Sequence, residues 1–229
     1  MQQTLSPVHS RVLRFIDEGE CDWRPVVFFG GLGTDVNAFY ATEFARELRE
    51  RLRLRVISVE RNGFGMTPFD SSLGISDAVD DVLEVLETLS VRRFAVVAIS
   101  GGGPFAAALA ARVPGRMLSL HLAAAAAGPL VAECGTASLL YAQPAQFALD
   151  PALAHEWRVL CSEPLPELST LEAPAYLYWG HDDDVVPKAH IREWLRVLPC
   201  VAAVRGYRDV GHDVQYRHWE QILQDLAGG

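Results

Sequence analysis

The feature that most limits the possible folds of this chain is an alternation between short apolar runs and longer amphipathic segments. Continuous apolar runs occur at residues 26–29, 55–60 and 94–99, and again downstream as MLSLHLA, AYLYWG and VAAVRGY. Between them lie segments with apolar residues at helical spacing, most clearly ISDAVDDVLEVLETL at residues 75–89. Strands that are apolar on both faces and alternate with helices indicate an α/β fold, in which helices cover both faces of a mostly parallel sheet.

These patterns also set the predicted boundaries of the elements. Ser76 is the expected N-cap of the helix that begins beside it. Residues 128–173 hold several prolines and form an irregular stretch, so we interpret them as a short lid within a single domain that spans residues 1–229. Strands are expected at residues 11–15 and at the apolar runs, and helices at 39–52, 75–89, 103–113, 190–198 and 214–226.

Composition and charge narrow the class of protein. Of the 229 residues, 50% are hydrophobic and 21% are charged, which is typical of a chain that buries one large core. The formal net charge of −9 disfavours nucleic acid and anionic membranes as partners, since both require basic surfaces. The longest apolar stretch is too short for a membrane span, and the N-terminus lacks the pattern of a secretory signal. We therefore expect a cytoplasmic protein.

The cysteines carry no sign of a metal or disulfide framework. Positions 21, 134, 161 and 200 form no CxxC pair, and none has a histidine at metal-ligand spacing. Reduced thiols and no bound metal are the expected state.

A single serine interrupts the most apolar part of the chain. The segment VVAISGGGPFAAALAA places Ser100 between the predicted strand at 94–99 and an alanine-rich helix. Ligands bind beyond the carboxyl ends of parallel strands, and glycines permit a sharp turn there. The N-terminus of the next helix also favours an anion beside the hydroxyl. The segment AISGG therefore indicates a nucleophile elbow, G-x-S-x-G, with alanine at the first glycine, although an idle serine in a glycine-rich turn is the alternative.

A serine nucleophile needs a general base, and the base needs an acid that orients it. The strand AYLYWG is followed by GHDDDVVP, which places Asp182, Asp183 and Asp184 at its carboxyl end. The strand VAAVRGY is followed by RDVGHDV, which places His212 in a turn before the last helix. His181, beside the three acids, is the main rival for the base. Because carboxyl ends of parallel strands share one edge, we expect the serine, an acid and the histidine to meet there.

Two further glycine loops follow predicted strands. The loop FFGGLGTD can turn backbone amides toward Ser100, and ERNGFGMTPF forms a tight loop beside the same pocket. Neither GxGxxG nor GxxxxGK[ST] occurs, so a nucleotide site is not expected.

Together, these motifs resemble those of the α/β-hydrolase superfamily over nearly the whole chain. ISGGGPFAAALAA is similar to the elbow of its proline iminopeptidase-like and related esterase branch. ERNGFGMTPF resembles the D-R-x-G-x-G-x-S loop of that branch, with Glu60 for the aspartate and Thr67 for the serine. GHDDDVVP resembles its G-x-x-D-x-x-V-P acid loop and VGHDV its G-H loop. The resemblance implies a catalytic triad of Ser100, with Asp183 as the acid and His212 as the base.

The resemblance also implies an oxyanion hole and a substrate pocket. The H-G-x-G loop of the family aligns best with GGLG at residues 30–33, which implies the backbone N–H groups of Leu32 and Gly101 as oxyanion donors. An alignment shifted by one residue would select Gly31, which is a candidate pocket residue in either case. The histidine of the family motif is missing here. Three aromatic residues of the lid either line an acyl pocket or pack the lid onto the body: Tyr141, Phe147 and Trp157.

The predicted function is hydrolysis of a small carboxylic ester or thioester through an acyl-enzyme intermediate, with no metal or organic cofactor. The short lid differs from the long acidic cap of iminopeptidases and argues against a peptidase. Three alternatives share the same parts: a peptidase or amidase, a carbon–carbon bond hydrolase or perhydrolase, and a non-catalytic small-molecule receptor. The expected partner is a small ester or acyl compound, and the sequence gives no indication of the oligomeric state.

Overall fold

The strands of this computed structural model, which describes residues 2–5, 12–128 and 149–229, form one sheet. The second strand pairs antiparallel with both of its neighbours, and every other adjacent pair is parallel. The predicted mostly parallel sheet is confirmed. The strands are β1 (Gln2–Leu5), β2 (Leu13–Glu18), β3 (Arg24–Phe29), β4 (Leu54–Val59), β5 (Phe94–Ile99), β6 (Met117–Ala123), β7 (Ala175–Gly180) and β8 (Val201–Tyr207). Within the described residues their order in the sheet is β1-β2-β4-β3-β5-β6-β7-β8.

Helices occupy most of the described connections between strands. None of these described helices is both long and apolar enough to cross a bilayer. The α-helices are α1 (Arg46–Arg51), α2 (Ile75–Thr88), α3 (Gly103–Arg112), α4 (Pro151–Ser162), α5 (Lys188–Val197), α6 (Val214–Arg217) and α7 (Trp219–Gly228). Short 3₁₀ helices lie at Val36–Ala45, Ser100–Gly102 and Pro114–Arg116.

Alternate residues of each central strand supply two apolar layers. On β3, Val27 and Phe29 pack into the layer that contains α2, α3 and α5. Val26 and Phe28 pack on the opposite face, with the first 3₁₀ helix and α7. Burying one such side chain contributes about 1.5–3 kcal/mol, so both layers stabilise the sheet. The continuous apolar runs of the sequence arise because both faces are covered.

Several predicted boundaries are wrong. The strand expected at residues 11–15 lies at Leu13–Glu18, and the edge strand β1 was not predicted. The helix expected at 39–52 begins as a 3₁₀ helix, for which Asp35 provides the N-cap by accepting the Asn37 amide at 2.8 Å. The helix expected at 214–226 is interrupted at His218, whose φ of −123° and ψ of 24° are not helical.

The predicted N-cap Ser76 is also wrong, because α2 begins one residue earlier. Gly74 is the N-cap, and its amide donates to the Asp77 carboxylate at 2.8 Å. The Ser76 hydroxyl instead accepts a 2.8 Å hydrogen bond from Arg112 of α3.

Helix α4 lies within residues 128–173, which were predicted to be irregular. The Asp150 carboxylate accepts hydrogen bonds from the amides of Ala152 and Leu153 at 2.9 and 3.1 Å. Pro151 follows at the first helical position, where its missing N–H costs nothing. The dipeptide Asp-Pro was therefore the start signal for this helix.

A buried polar cluster joins β6, β7, β8 and α7. His121 lies fully buried, with Nδ1 2.9 Å from the Tyr178 hydroxyl and Nε2 2.9 Å from the Ser119 hydroxyl. Tyr178 donates at 2.8 Å to Asp225, which also accepts two 2.8 Å bonds from Arg205. Because the Tyr178 hydroxyl donates its proton to Asp225, it can only accept a hydrogen bond from Nδ1 of His121. Nε2 then accepts the proton of the Ser119 hydroxyl, and the imidazole is neutral. Burial lowers the pKa of His121 to about 3.

This neutral histidine predicts that the fold is sensitive to acid. Below the ordinary histidine pKa of 6.5, the unfolded chain binds a proton that native His121 does not take up until about pH 3. The free energy of unfolding therefore falls across this window, by about 2 kcal/mol between pH 7 and pH 5 for this residue alone. Urea unfolding at the two pH values measures the loss. His121→Gln cannot be protonated and should lose less stability over the same interval; an equal loss in both proteins would contradict the prediction.

Candidate active site

Ser100 lies where β5 has ended and α3 has not begun. Its φ of +53° is in the left-handed region, which residues with a side chain seldom adopt. Its carbonyl oxygen accepts hydrogen bonds from the amides of Gly103 and Ala126, the latter at 2.8 Å. The residue is 8% exposed, at the carboxyl edge of the sheet where the motif predicted it.

The glycines after Ser100 leave room for neighbouring backbone. A Cβ on Gly103 would lie 2.1 Å from the carbonyl oxygen of Ala126, and a Cβ on Gly102 would lie 2.7 Å from that of Phe29. Both distances are shorter than any real contact, so these two positions require glycine for the strand-to-helix turn to form.

Asp183, His212 and Ser100 form one hydrogen-bonded chain. Nε2 of His212 lies 2.9 Å from Oγ of Ser100. Nδ1 of His212 lies 3.0 Å from Oδ2 of Asp183 and 3.2 Å from its Oδ1. The His212 side chain is 25% exposed, so one edge of the imidazole faces the open side of the site. The structure therefore brings together the three residues that the sequence predicted.

The fold selects Asp183 from the three consecutive acids. Its side chain is 1% exposed, and its Oδ1 accepts hydrogen bonds from the amides of Val185 and Val186 at 3.0 and 2.8 Å. Asp182 and Asp184 are exposed. The backbone donors fix the position of the Asp183 carboxyl group.

The rival histidines lie elsewhere. His181 stacks on Trp179 with the ring centroids 4.4 Å apart. Another histidine, His190 of α5, is buried, and its Nδ1 accepts the amide of Ala127 at 3.1 Å. Burial lowers the pKa of His190 and favours its neutral form.

The loop after β3 lies against the serine turn. A Cβ on Gly31 would lie 3.4 Å from Cβ of Ser100 and 3.8 Å from its Oγ. A Cβ on Gly101 would lie 2.8 Å from the amide nitrogen of Leu32. The amide nitrogen of Leu32 therefore lies close to Gly101, the residue that follows Ser100. That the amides of Leu32 and Gly101 bind an oxyanion stays a prediction.

Sequence reasoning missed two charged residues that hold this loop. Arg61 donates to the carbonyl oxygens of Gly30 and Gly31 at 3.0 and 2.5 Å. It also donates to Glu156 of α4 at 2.6 Å. The second oxygen of Glu156 accepts the amide of Gly33 at 2.7 Å. Arg61 stood in the quoted glycine loop, but nothing in the sequence linked it to a glutamate far along the chain.

A cleft of about 520 Å³ opens over Ser100 and His212. Most of its wall is apolar, and Gln215 and Tyr216 add polar groups beside His212. Gly31 lines the cleft, as expected. The apolar lining includes Phe28, Ala38, Ile99 and Val185.

Of the other predicted pocket residues, Trp157 lies within the described part of the chain. Trp157 lies half-buried on α4, outside the lining of the cleft, and its role stays a prediction. Tyr141 and Phe147 lie outside the described residues. Within the described ranges, no group of three or more histidine, cysteine or acidic side chains is arranged to hold a metal ion.

A serine on a strained strand-to-helix turn, hydrogen-bonded to a histidine and a buried aspartate at the carboxyl edge of a mostly parallel sheet, defines the α/β-hydrolase type of protein. A family model described as "alpha/beta hydrolase fold" matches residues 24–158. The chain therefore belongs to the α/β-hydrolase fold family. No curated protein matches the sequence. The predicted iminopeptidase-like and esterase branch stays a prediction.

Solved structures share the same fold at low sequence identity. An esterase from Exiguobacterium antarcticum superposes with a TM-score of 0.83 at 17% identity, covering 100% of this chain and 98% of that one. A hydrolase from Pseudomonas aeruginosa PA01 has a TM-score of 0.78 at 20% identity, covering 100% and 98%. The enol-lactonase from Burkholderia xenovorans LB400 has a TM-score of 0.73 at 21% identity, covering 96% and 97%.

Because the turn after Ser100 is tightly packed, adding one methyl group at Gly103 should lower the free energy of unfolding considerably. Gly103→Ala should destabilise the protein by about 1–3 kcal/mol or more, because the added Cβ meets backbone that cannot move aside. Gly115→Ala is the matched control, since a Cβ there meets nothing within 4 Å. Urea unfolding of both variants measures the difference, and equal stabilities would contradict the packing argument.

Proposed function

We propose that the protein is a serine hydrolase that cleaves a small carboxylic ester or thioester through an acyl-enzyme intermediate. The observation that carries the proposal is the continuous hydrogen-bonded chain from Asp183 through His212 to Ser100 at the mouth of an apolar cleft. A nucleophile, a base and an orienting acid in this geometry are the parts that acyl transfer requires.

In the first step, the Ser100 hydroxyl attacks the substrate carbonyl. Asp183 accepts the Nδ1–H of His212, which leaves the lone pair of Nε2 free to accept the proton of the Ser100 hydroxyl, whose Oγ lies 2.9 Å away. His212 takes this proton as Oγ bonds to the carbonyl carbon, and the negative charge of Asp183 stabilises the imidazolium that forms. General-base catalysis of this kind contributes roughly 10²–10⁴ in rate.

The tetrahedral intermediate carries its negative charge on the former carbonyl oxygen. The amides of Leu32 and Gly101 are the proposed donors to this oxyanion, because the Leu32 nitrogen lies close to Gly101, the residue after Ser100. The N-terminus of α3 adds its positive dipole end at the same place. One such donor is worth about 3 kcal/mol in the transition state.

The leaving group then takes the proton from His212, and the acyl group stays on Ser100. Water attacks this ester with His212 again acting as the base, which releases the acid and restores the hydroxyl. Each proton moves between Ser100, His212 and the substrate or water, so the cycle requires no cofactor.

The apolar wall of the cleft supports an acyl substrate of modest size, and the names of two structural neighbours, an esterase and an enol-lactonase, favour ester bonds over peptide bonds. We further propose that residues 128–173, which include α4, form the lid of a single domain. The protein is proposed to act in the cytoplasm, on a small molecule rather than on nucleic acid or a membrane.

Removing the nucleophile should abolish both covalent labelling and turnover. Ser100→Ala should no longer react with a fluorophosphonate probe and should not hydrolyse p-nitrophenyl esters, while its circular dichroism spectrum stays that of the wild type. Labelling that survives in this variant would remove Ser100 from its proposed role. Turnover of an aminoacyl-arylamide series by the wild type, faster than that of the esters, would favour the amidase alternative.

The role of Asp183 as the orienting acid can be tested against its exposed neighbour Asp184. Asp183→Asn should lower kcat about 10⁴-fold, because the amide no longer holds the His212 tautomer that accepts the serine proton. Asp184→Asn is the matched control, since this neighbouring side chain is exposed and should leave kcat unchanged. Steady-state kinetics with a p-nitrophenyl ester compares the two variants. Equal losses in both would show that Asp183 is not the orienting acid.

A further inference from the structure

We infer that Arg61 and Glu156 are positioning residues of the oxyanion hole, and that helix α4 contributes to the turnover rate through them. The inference rests on the proposed function, in which the Leu32 amide binds the oxyanion. It answers how the loop at residues 30–33 is supported when the histidine of the family motif is missing.

Arg61 acts on the peptide group that carries the Leu32 amide. The carbonyl oxygen of Gly31 and the N–H of Leu32 belong to one planar trans peptide, so they point in opposite directions. Arg61 donates to that carbonyl at 2.5 Å, and the Thr34 hydroxyl donates to it at 2.8 Å. Bonds on the carbonyl side fix the plane and hence the direction of the N–H. The guanidinium charge also polarises the peptide, which makes its N–H a stronger donor.

Glu156 holds the arginine and the far end of the loop together. Its Oε1 accepts from Arg61 at 2.6 Å, and its Oε2 accepts the Gly33 amide at 2.7 Å. The loop is thus clamped on both sides of Leu32, by the arginine at the preceding carbonyl and by the carboxylate at the following amide. The two side chains are only 7% and 6% exposed, so water does not compete for these bonds.

Packing fixes the two charged groups in this arrangement. The guanidinium carbon of Arg61 lies 5.0 Å from the centroid of the Phe105 ring, which orients the planar group. Helix α4 lies against both loops: a Cβ on Gly63 would come within 2.4 Å of Ala152, and one on Gly33 within 2.8 Å of Leu153. Glu156 therefore lies on a helix whose close contacts with both loops restrict its movement.

Two conservative variants test the inference. Arg61→Lys keeps the charge but loses the fork that reaches two carbonyls and a carboxylate at once. Glu156→Gln keeps the size of the side chain but loses the charge that pairs with Arg61. Each should lower kcat for a p-nitrophenyl ester about tenfold or more while KM changes less than about threefold. Losing one oxyanion donor outright costs about 10²–10³ in kcat, and a displaced donor costs less.

A transition-state analogue separates positioning from general damage. A phenylboronic acid forms a tetrahedral adduct on the serine, so its inhibition constant should rise in both variants by about the factor by which kcat/KM falls. The carboxylate product, which makes no tetrahedral adduct, should bind each variant and the wild type alike.

Asp17→Asn is the matched control. It breaks the Asp17–Arg55 pair, which is bidentate at 2.6 and 2.7 Å, with side chains 12% and 7% exposed, and which lies outside the cleft. This variant should lose stability without losing kcat. The inference is overturned if Arg61→Lys and Glu156→Gln reduce kcat no more than Asp17→Asn does, or if they change KM instead.

Thermal unfolding of every variant completes the test. If Arg61→Lys fails to fold, the kinetics of Glu156→Gln alone test the inference. If neither variant folds while Asp17→Asn does, the Arg61–Glu156 pair is required for folding and the positioning role is wrong. A wild-type protein that hydrolyses no ester refutes the proposed function. A wild type that hydrolyses esters, with variants that do so equally well, refutes only the inference.

Discussion

Two hydrogen bonds to the carbonyl oxygen of Ser100, from Gly103 and Ala126, tie three segments of the chain to one point. They join the end of β5, the start of α3 and the segment after β6. A left-handed serine costs about 1–3 kcal/mol, and it persists only where its surroundings determine it. Buried strands on both sides supply that constraint. The imidazole of His212 and the loop at residues 30–33 are arranged around a hydroxyl whose position the backbone has already fixed.

The sheet and the site at its edge could be predicted from short stretches of the sequence. Continuous apolar runs identified β3 to β7 because those strands are covered on both faces, and the rule that parallel strands share a carboxyl edge brought three distant loops together. His212 follows the three acids in the chain, which is the order serine, acid, histidine of this fold, whereas His181 precedes them. These inferences needed no knowledge of side-chain contacts, which is why the meeting of Ser100, Asp183 and His212 was predictable.

The parts that the sequence did not reveal depend on tertiary packing. His190, for example, is buried on α5, where its Nδ1 accepts the amide of Ala127, a residue far away in the sequence. No local pattern contains such information. The Arg61–Glu156 pair is the strongest case, since its members are far apart in sequence and meet only because α4 packs across the glycine loop. Periodicity locates a helix, but it does not say which distant charge that helix will face.

The buried residues of α4 recur every fourth position, at Ala152, Glu156 and Leu160, and so form a single stripe along the helix. One side of this helix is thus committed to two loops of the body, whereas Arg158 on another side is exposed. Anyone who redesigns the substrate range of such a protein has one face of this helix to randomise and another to leave intact. A lid segment taken from a relative would need a carboxylate at the position of Glu156 to pair with Arg61. Without that carboxylate, the loop at residues 30–33 would lose its support.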